Sequence, residues 1–320
     1  MTDWKTVLED GTEVVRTCAW SPPGCHPVGC GLRLFVKDGE LVKVEGDPEH
    51  PITQGRLCPR CLALKEYIYH PDRIIYPMMR ERKDRGLDRW QRVSWDEAWQ
   101  AVKENTDRIR AEYGSNSIVY FSGTGRRGID YTFNMCTHAL GTAQNAYCQS
   151  GWSCYAPRGA ITMATFGCGY PEVDWAGGYK DRYDNANYRI PEYILVWGKE
   201  PLKSNPDGFF GHSIIDMMKR GSKVIMVDPR MNWLATRAEH VLRLRPGTDT
   251  AVAMAMLNVI ITEDLYDHDF VDCWCYGFDE FAERVKTMSP EDAEATSWVP
   301  AEQIRQIARI LGTVKPWGLN

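Results

Sequence analysis

From Tyr193 onward, short apolar runs alternate with longer amphipathic stretches. Tyr193–Trp197 (YILVW), Lys223–Val227 (KVIMV) and Val241–Leu244 have the continuous apolar character of strands covered on both faces. Between them Phe210–Arg220 reads as a helix stopped by Gly221, and Thr250–Thr262 as a strongly apolar helix. Upstream, the pattern predicts a strand at Ser117–Phe121 and helices at Tyr131–Leu140 and Cys154–Phe166. Residues 265–312 read as all-helical, with Pro300 in a first turn and Gly312 as a stop. Strands alternating with helices predict an α/β fold, a doubly wound and mostly parallel sheet.

The first third follows a different rhythm. Residues 12–60 read as a small β-rich module, with Leu32–Lys37 and Leu41–Glu45 joined by the hairpin turn Asp38-Gly39. Residues 71–92 are basic, proline-bearing and aperiodic, and read as an extended linker. Ser94-Trp-Asp-Glu97 is a capping box opening a helix with Trp95, Ala98, Trp99, Val102 and Ile109 as apolar positions, ending before Gly114. The expected organisation is a module over 1–70, a linker and capping helix over 71–116, and an α/β region over 117–320.

Composition narrows the function classes. Hydrophobic residues make up 43% and charged residues 25% of the 320, ordinary for a globular protein. The net charge of −5 gives no general attraction to nucleic acid or an anionic membrane. No apolar run approaches the ~20 residues of a membrane span. The start carries neither an apolar signal core nor a twin-arginine pair, so a cytoplasmic location is expected. Eleven cysteines in a reducing compartment favour metal ligation or chemistry over disulfides.

Cys18, Cys25 and Cys30 lie close together, and Cys58 follows the predicted hairpin with Cys61 three residues beyond. This layout gathers thiolates around one soft centre, either an iron–sulfur cluster or a zinc ion. His26 adjoins Cys25 but has no metal-ligand spacing. Cys154, in SGWSCYAPRGA, precedes a helix start, where a thiolate is stabilised and ligates metals well. Cys136, Cys148 and Cys168 carry less signal, and Cys273 and Cys275 read as core.

Gly123-Thr-Gly125-Arg-Arg-Gly128 fits GxGxxG after a strand, but no acidic residue lies between Asp130 and Glu172 to hold a ribose. A nicotinamide site is therefore disfavoured. Trp197-Gly198-Lys-Glu200-Pro201, Asp228-Pro-Arg230 and Arg245-Pro-Gly247-Thr-Asp249 each follow a strand, at the edge where open α/β sheets bind ligands. Their carboxylates suit a guanine edge or ribose hydroxyls, and the arginine suits a phosphate.

In order, CAWSPPGCHPVGCGLRLFVKDGELVKVEGDPEHPITQGRLCPR, YHPDRIIYPM, RWQRVSWDEAW, HALGTAQN, SCYAPRGA, VWGKEP, VDPR and LRPGTDTAVAMAMLNVIITEDLYDHDFV resemble the N-terminal part of the molybdopterin oxidoreductases of the dimethyl sulfoxide reductase superfamily. The likeness is strongest to the acetylene hydratase-like and catechol dehydroxylase-like branches. It implies a [4Fe–4S] cluster on Cys18, Cys25, Cys30 and Cys58, with Arg60 between cluster and pterin. It implies Cys154 as protein ligand to molybdenum or tungsten, and Gly198, Glu200, Asp228, Arg230, Gly247 and Asp249 around one half of a bis-molybdopterin guanine dinucleotide cofactor. The expected protein is an oxidoreductase acting on a small molecule and exchanging electrons with a separate iron–sulfur subunit. A non-redox hydratase on the same scaffold and a truncated, non-catalytic cofactor or cluster carrier are the alternatives. Three features depart from the family pattern. The cysteine gaps are six, four and twenty-seven residues, the first two longer than usual. Cys61 replaces a usual glycine, which keeps a zinc set of Cys25, Cys30, Cys58 and Cys61 open. The chain is also under half the family's usual length, so the C-terminal domain clamping the second pterin is expected to be missing or on another chain.

Overall fold

Two units make up the chain, Met1–Pro171 and Glu172–Asn320. The structure, a computed structural model, describes residues 4–20, 29–51, 53–122, 136–147, 155–167, 189–204, 210–315 and 317–319.

The first unit begins with a four-stranded antiparallel meander: β1 (Lys5–Val7), β2 (Glu13–Trp20), β3 (Gly29–Lys37) and β4 (Glu40–Gly46). The expected hairpin is present, and its turn residues Asp38 and Gly39 both take positive φ, 51° and 81°. Two glycines let the following loop lie flat on the sheet. A Cβ on Gly31 would collide with the His50 side chain, and one on Gly46 with the Gly55 backbone. This close approach delivers the chain to helices α1 (Pro59–Leu62) and α2 (Leu64–Ile68) beside β4.

The expected linker over 71–92 is more ordered than its pattern suggests. β5 (Met78–Met79) and β6 (Gln91–Arg92) form an antiparallel ribbon. Arg80 sits 4.3 Å over the Trp90 ring and Arg92 3.2 Å over Tyr76, contacts that periodicity cannot reveal. Helix α3 (Trp95–Tyr113) has the expected capping box and stops at Gly114. Its apolar positions, however, do not form a core: no residue of α3 is buried, and Trp95 and Trp99 are 62% and 60% exposed. Local terms hold this helix instead, including the Lys103–Asp107 and Arg108–Glu112 pairs one turn apart.

The predicted strand at 117–121 is shifted to β7 (Tyr120–Ser122), which pairs in parallel with an unanticipated β8 (Asn145–Tyr147). Of the predicted helix 131–140, only Cys136–Leu140 lies within the described residues, as a π-helical turn. Helix α4 spans Tyr155–Phe166.

The second unit is built on four parallel strands ordered β11 (His240–Leu242), β10 (Lys223–Val227), β9 (Tyr193–Trp197) and β12 (Trp317–Leu319). Side-chain alternation divides β9 and β10 between two cores. Ile194, Val196, Val224 and Met226 pack with Ile214 and Met217 of the helix Phe210–Lys219, and with Leu234 and Ala235. Tyr193, Leu195, Ile225 and Val227 face the other layer. That layer comprises Asp249–Thr262, Pro290–Ser297 and Ala301–Thr313, with Val252, Met256, Ile304 and Ile307 inside. In chain order the helices from Pro201–Ser204 are α5, α6 (Phe210–Lys219), α7 (Asp249–Thr262), α8 (His268–Trp274), α9 (Phe278–Lys286), α10 (Pro290–Ser297) and α11 (Ala301–Thr313). The doubly covered parallel sheet is thus present as expected.

Four local expectations are corrected. Gly312 does not end α11, which runs to Thr313; a Cβ there would lie 2.7 Å from Leu265 Cβ, so this glycine permits close packing. Pro300 is the N-cap of α11 rather than part of its first turn, whereas Pro290 takes that place in α10. The third strand is His240–Leu242, not Val241–Leu244. Cys273 and Cys275 are exposed, because α8 buries no residue and is held by the Asp267 cap to the Phe270 amide. Among the described residues no helix is long and apolar enough to cross a membrane.

Candidate metal and cofactor sites

Cys30 lies on β3, and Cys58 caps the N-terminus of α1 with Cys61 one turn on; the Cys61 amide donates to Cys58 O at 3.1 Å. All three are buried, Cys61 completely, in a cluster with Leu32 and Val44. Hydrogen bonding with Cys30, burial and the neighbouring Cys58 push the Cys61 thiol well above its usual range. The structure therefore brings together two of the four expected ligands, Cys30 and Cys58, and adds Cys61.

Cys18 is not brought to them. In the β2–β3 register Ala19 opposes Cys30, while Cys18 opposes Gly31. Adjacent residues point to opposite faces, so Cys18 and Cys30 lie on different sides of the sheet. Cys18 is exposed, on the face that carries Arg16. There the Arg16 guanidinium donates to Asp47 at 2.9 Å and Glu49 at 2.6 Å, tying β2 to the loop after β4. Cys25 and its neighbour His26 lie outside the described residues. Arg60 is exposed on the α1 turn between the two buried cysteines. Among the described residues, no three His, Cys, Asp or Glu side chains stand as a group for a single metal ion.

The second site is the carboxyl edge of the parallel sheet. Backbone bonds stitch the strand ends together: Gly198 N donates to Val227 O at 2.8 Å, and Asp228 N to Leu242 O at 3.2 Å. The Trp197 indole donates to Asp249 at 2.8 Å, linking the end of β9 to the start of α7. Glu200 and Asp228 are buried, although both are acidic. Arg230 reaches both, 3.8 Å from the Glu200 carboxylate and 3.5 Å from that of Asp228, and its own amide donates to Asp228 at 2.7 Å. Lys203 adds a contact to Glu200 at 3.2 Å. The guanidinium itself remains largely exposed and presents donors outward.

Gly198 and Gly247 take positive φ, 59° and 86°, with open space where a Cβ would stand. Nearby, Asn232 spends its side-chain oxygen on the Ala235 amide at 2.8 Å, leaving Nδ2 buried without a hydrogen-bond partner. Carboxylates that accept, an exposed guanidinium that donates and open glycine backbone suit a polar ligand that carries both hydrogen-bond donors and anionic groups. All six expected cofactor-binding residues lie at this edge.

Sequence reasoning missed the supporting parts. Trp197 reads as an ordinary strand residue, and its indole bond to Asp249 spans 52 positions. Lys203 and Asn232 carry no motif. Cys61, by contrast, was legible as a candidate ligand from its Cys-x-x-Cys spacing with Cys58. Cys154, Cys148, Cys168 and the Gly123–Gly128 loop lie outside the described residues; Cys154 immediately precedes α4.

Comparison with known proteins gives these sites a context. The family profile described as molybdopterin oxidoreductase matches residues 73–308, and that of the molybdopterin oxidoreductase Fe4S4 domain matches residues 23–70. Dopamine dehydroxylase from Eggerthella lenta is 32% identical over 274 residues, 85% of this chain and 25% of its own length. Dimethyl sulfoxide reductase from Escherichia coli (strain K12) is 30% identical over 319 residues, 90% of this chain and 38% of its own. Acetylene hydratase from Pelobacter acetylenicus superposes with a TM-score of 0.76 at 28% identity, covering 95% of this chain and 39% of that one. The chain thus spans about a quarter to two-fifths of the length of these relatives. With both profiles matched in order along one chain, this protein belongs to the molybdopterin oxidoreductase family and carries its Fe4S4 domain.

Proposed function

We infer that the chain forms part of the catalytic chain of a molybdenum- or tungsten-dependent oxidoreductase, holding one guanine-dinucleotide half of a bis-pterin cofactor. The observation that carries this reading is the convergence of Glu200, Asp228 and Arg230 beyond the adjacent parallel strands β9 and β10. When bound, the metal–pterin centre supplies oxygen or hydroxyl transfer at a small-molecule substrate, and the cluster supplies one-electron transfer.

The residues of the chain bind and orient. Asp228 and Glu200 accept hydrogen bonds from the guanine edge or ribose hydroxyls, already ordered by Arg230 and Lys203. Arg230 directs its remaining donors to phosphate oxygens. Gly198 and Gly247 let backbone approach the dinucleotide. Asp249 fixes the edge through Trp197. Cys154 is assigned as the protein ligand to the metal, and Arg60 as the cation between cluster and pterin. The second pterin is held by a segment outside these 320 residues, and electrons pass to a separate iron–sulfur subunit.

Asp228→Asn tests the dinucleotide assignment in the full protein, expressed in a host that makes the cofactor. Losing a charged hydrogen bond costs roughly 1.5–3 kcal/mol, so guanine nucleotide released per chain on denaturation should fall at limiting cofactor. Cys154→Ala should abolish turnover and remove one sulfur from the metal's X-ray absorption shell, with the cluster spectrum intact. Unchanged nucleotide content in the first variant would remove the site from Asp228.

A second reading, a hydratase in which the metal acts as a Lewis acid on water, draws support from the likeness to acetylene hydratase. Turnover in the absence of any electron acceptor or donor separates the two.

A further inference from the structure

Two exposed apolar patches of opposite charge stand on this chain, and neither includes a residue of the two sites described above. We propose that the acidic, tryptophan-bearing face of α8 and α9 docks on the basic groove around β5 and β6 of a second copy of this chain.

The first patch begins on a helix that buries none of its residues. Phe270, Cys273 and Trp274 recur at i, i+3 and i+4 and so share one face of α8. Trp274 is 80% exposed, and Phe270, Tyr276 and Phe281 are exposed around it. From Glu263 to Glu283 the chain carries eight acidic residues and no lysine or arginine. Four of them are paired locally: Glu263 with Arg309, Asp264 with His268, Asp267 with Lys315 and Glu283 with Lys286. Asp269, Asp272, Asp279 and Glu280 are exposed and have no cationic partner among the described residues.

The second patch is concave. Ile74, 75% exposed, lines with Ile75, Met78, Trp90 and Trp95 an open groove of about 470 Å³, roomy enough for one indole. Arg80 and Arg92, over Trp90 and Tyr76, fix its rings before any partner arrives. Residues 72–92 hold seven arginines and lysines against four acids, in a chain whose net charge is −5. Arg82 and Arg85 are exposed and have no acidic partner among the described residues.

Exposed apolar patches with polar rims mark interaction surfaces. Here the unpaired charges say which surface meets which. Each patch repels its own kind and attracts the other, which disfavours a self-complementary contact and favours a heterologous one. Tryptophan is among the residues that most often anchor such contacts, and Trp274 is the anchor the groove takes.

Sedimentation velocity of the purified chain over a concentration series tests this. The wild-type chain should associate, and less so as ionic strength rises. Asp269→Lys with Asp272→Lys, or Arg82→Glu with Arg85→Glu, should each weaken association by at least about tenfold. Mixing the two double variants should restore it, because each then offers what the other lacks. Cys273 and Cys275, both exposed beside Trp274, report on the wild-type chain without any substitution. A bulky maleimide should label them rapidly in dilute protein and several-fold more slowly where the chain associates. A wild-type monomer at every concentration, association that survives both reversals, or a mixture that stays apart would overturn the proposal. So would slow labelling in the dilute monomer, which would show the patch covered within one copy.

Discussion

The cores of the two units are made of different material. In the second unit, among the described residues, seventeen on one face of the parallel sheet and eight on the other are buried hydrophobics, dominated by aliphatic side chains. In the N-terminal module the corresponding cluster, among the described residues, is Cys30, Leu32, Val44, Cys58 and Cys61, three of them thiols. Aliphatic burial at about 25 cal/mol per Å² sustains a fold without a ligand. A pocket lined by sulfur is expected to gain much of its stability from what the sulfurs bind, which would couple its folding to the cluster.

The largest expected effect follows from that contrast. Stripping iron anaerobically with a chelator should abolish slow amide exchange over 30–62 while leaving 193–197, 223–227 and 301–313 protected. Hydrogen exchange with peptide mapping reads both regions in one sample. Equal loss in the two regions would mean that the second unit also depends on the cluster.

A packing lesion should act in the opposite sense. Ile304 is fully buried against the sheet. Ile304→Ala should destabilise the second unit by ~2–5 kcal/mol through lost transfer energy and a residual cavity. Iron per chain should stay at the wild-type value. Denaturant unfolding followed by exchange in 223–227, alongside iron analysis, checks the pair of outcomes.

The same contrast explains what the sequence could and could not convey. β9 and β10 match the predicted bounds at Tyr193–Trp197 and Lys223–Val227, because a continuous apolar run is enough to mark a doubly covered strand. The Asp38-Gly39 hairpin was equally legible, since few dipeptides tolerate two positive φ values. β12 was not: Trp-Gly-Leu has no strand pattern, and its state comes from pairing with β9, more than 120 residues earlier. The three strand-end motifs were legible as a ligand edge, but the burial of Glu200 and Asp228 behind Arg230 is a tertiary fact. The cysteine count pointed to a metal centre. That Cys30 on β3 meets Cys58 and Cys61 of α1 in one buried cluster is a tertiary fact no local pattern encodes.

Polar terms in the second unit should be small beside its packing, and the edge of β10 offers a measure. The Tyr193 hydroxyl donates to Glu239 at 2.7 Å, and Lys223 lies 3.2 Å from the same carboxylate. The Tyr193 bond, chiefly, and Lys223 hold the Glu239 carboxyl below its usual range. A carboxyl depressed in the folded state stabilises above its unfolded value, near 4.5, and loses that contribution as pH falls through the folded value. Glu239 is 38% exposed, so solvent screening should limit its worth to under ~1 kcal/mol. Glu239→Gln should therefore lower stability by a few tenths of a kcal/mol at neutral pH, and the gap from wild type should close as pH drops below about 4. Urea unfolding of both proteins across that range is the check. A gap that stays constant into acid would show that Tyr193 needs only an acceptor there, with the charge contributing nothing.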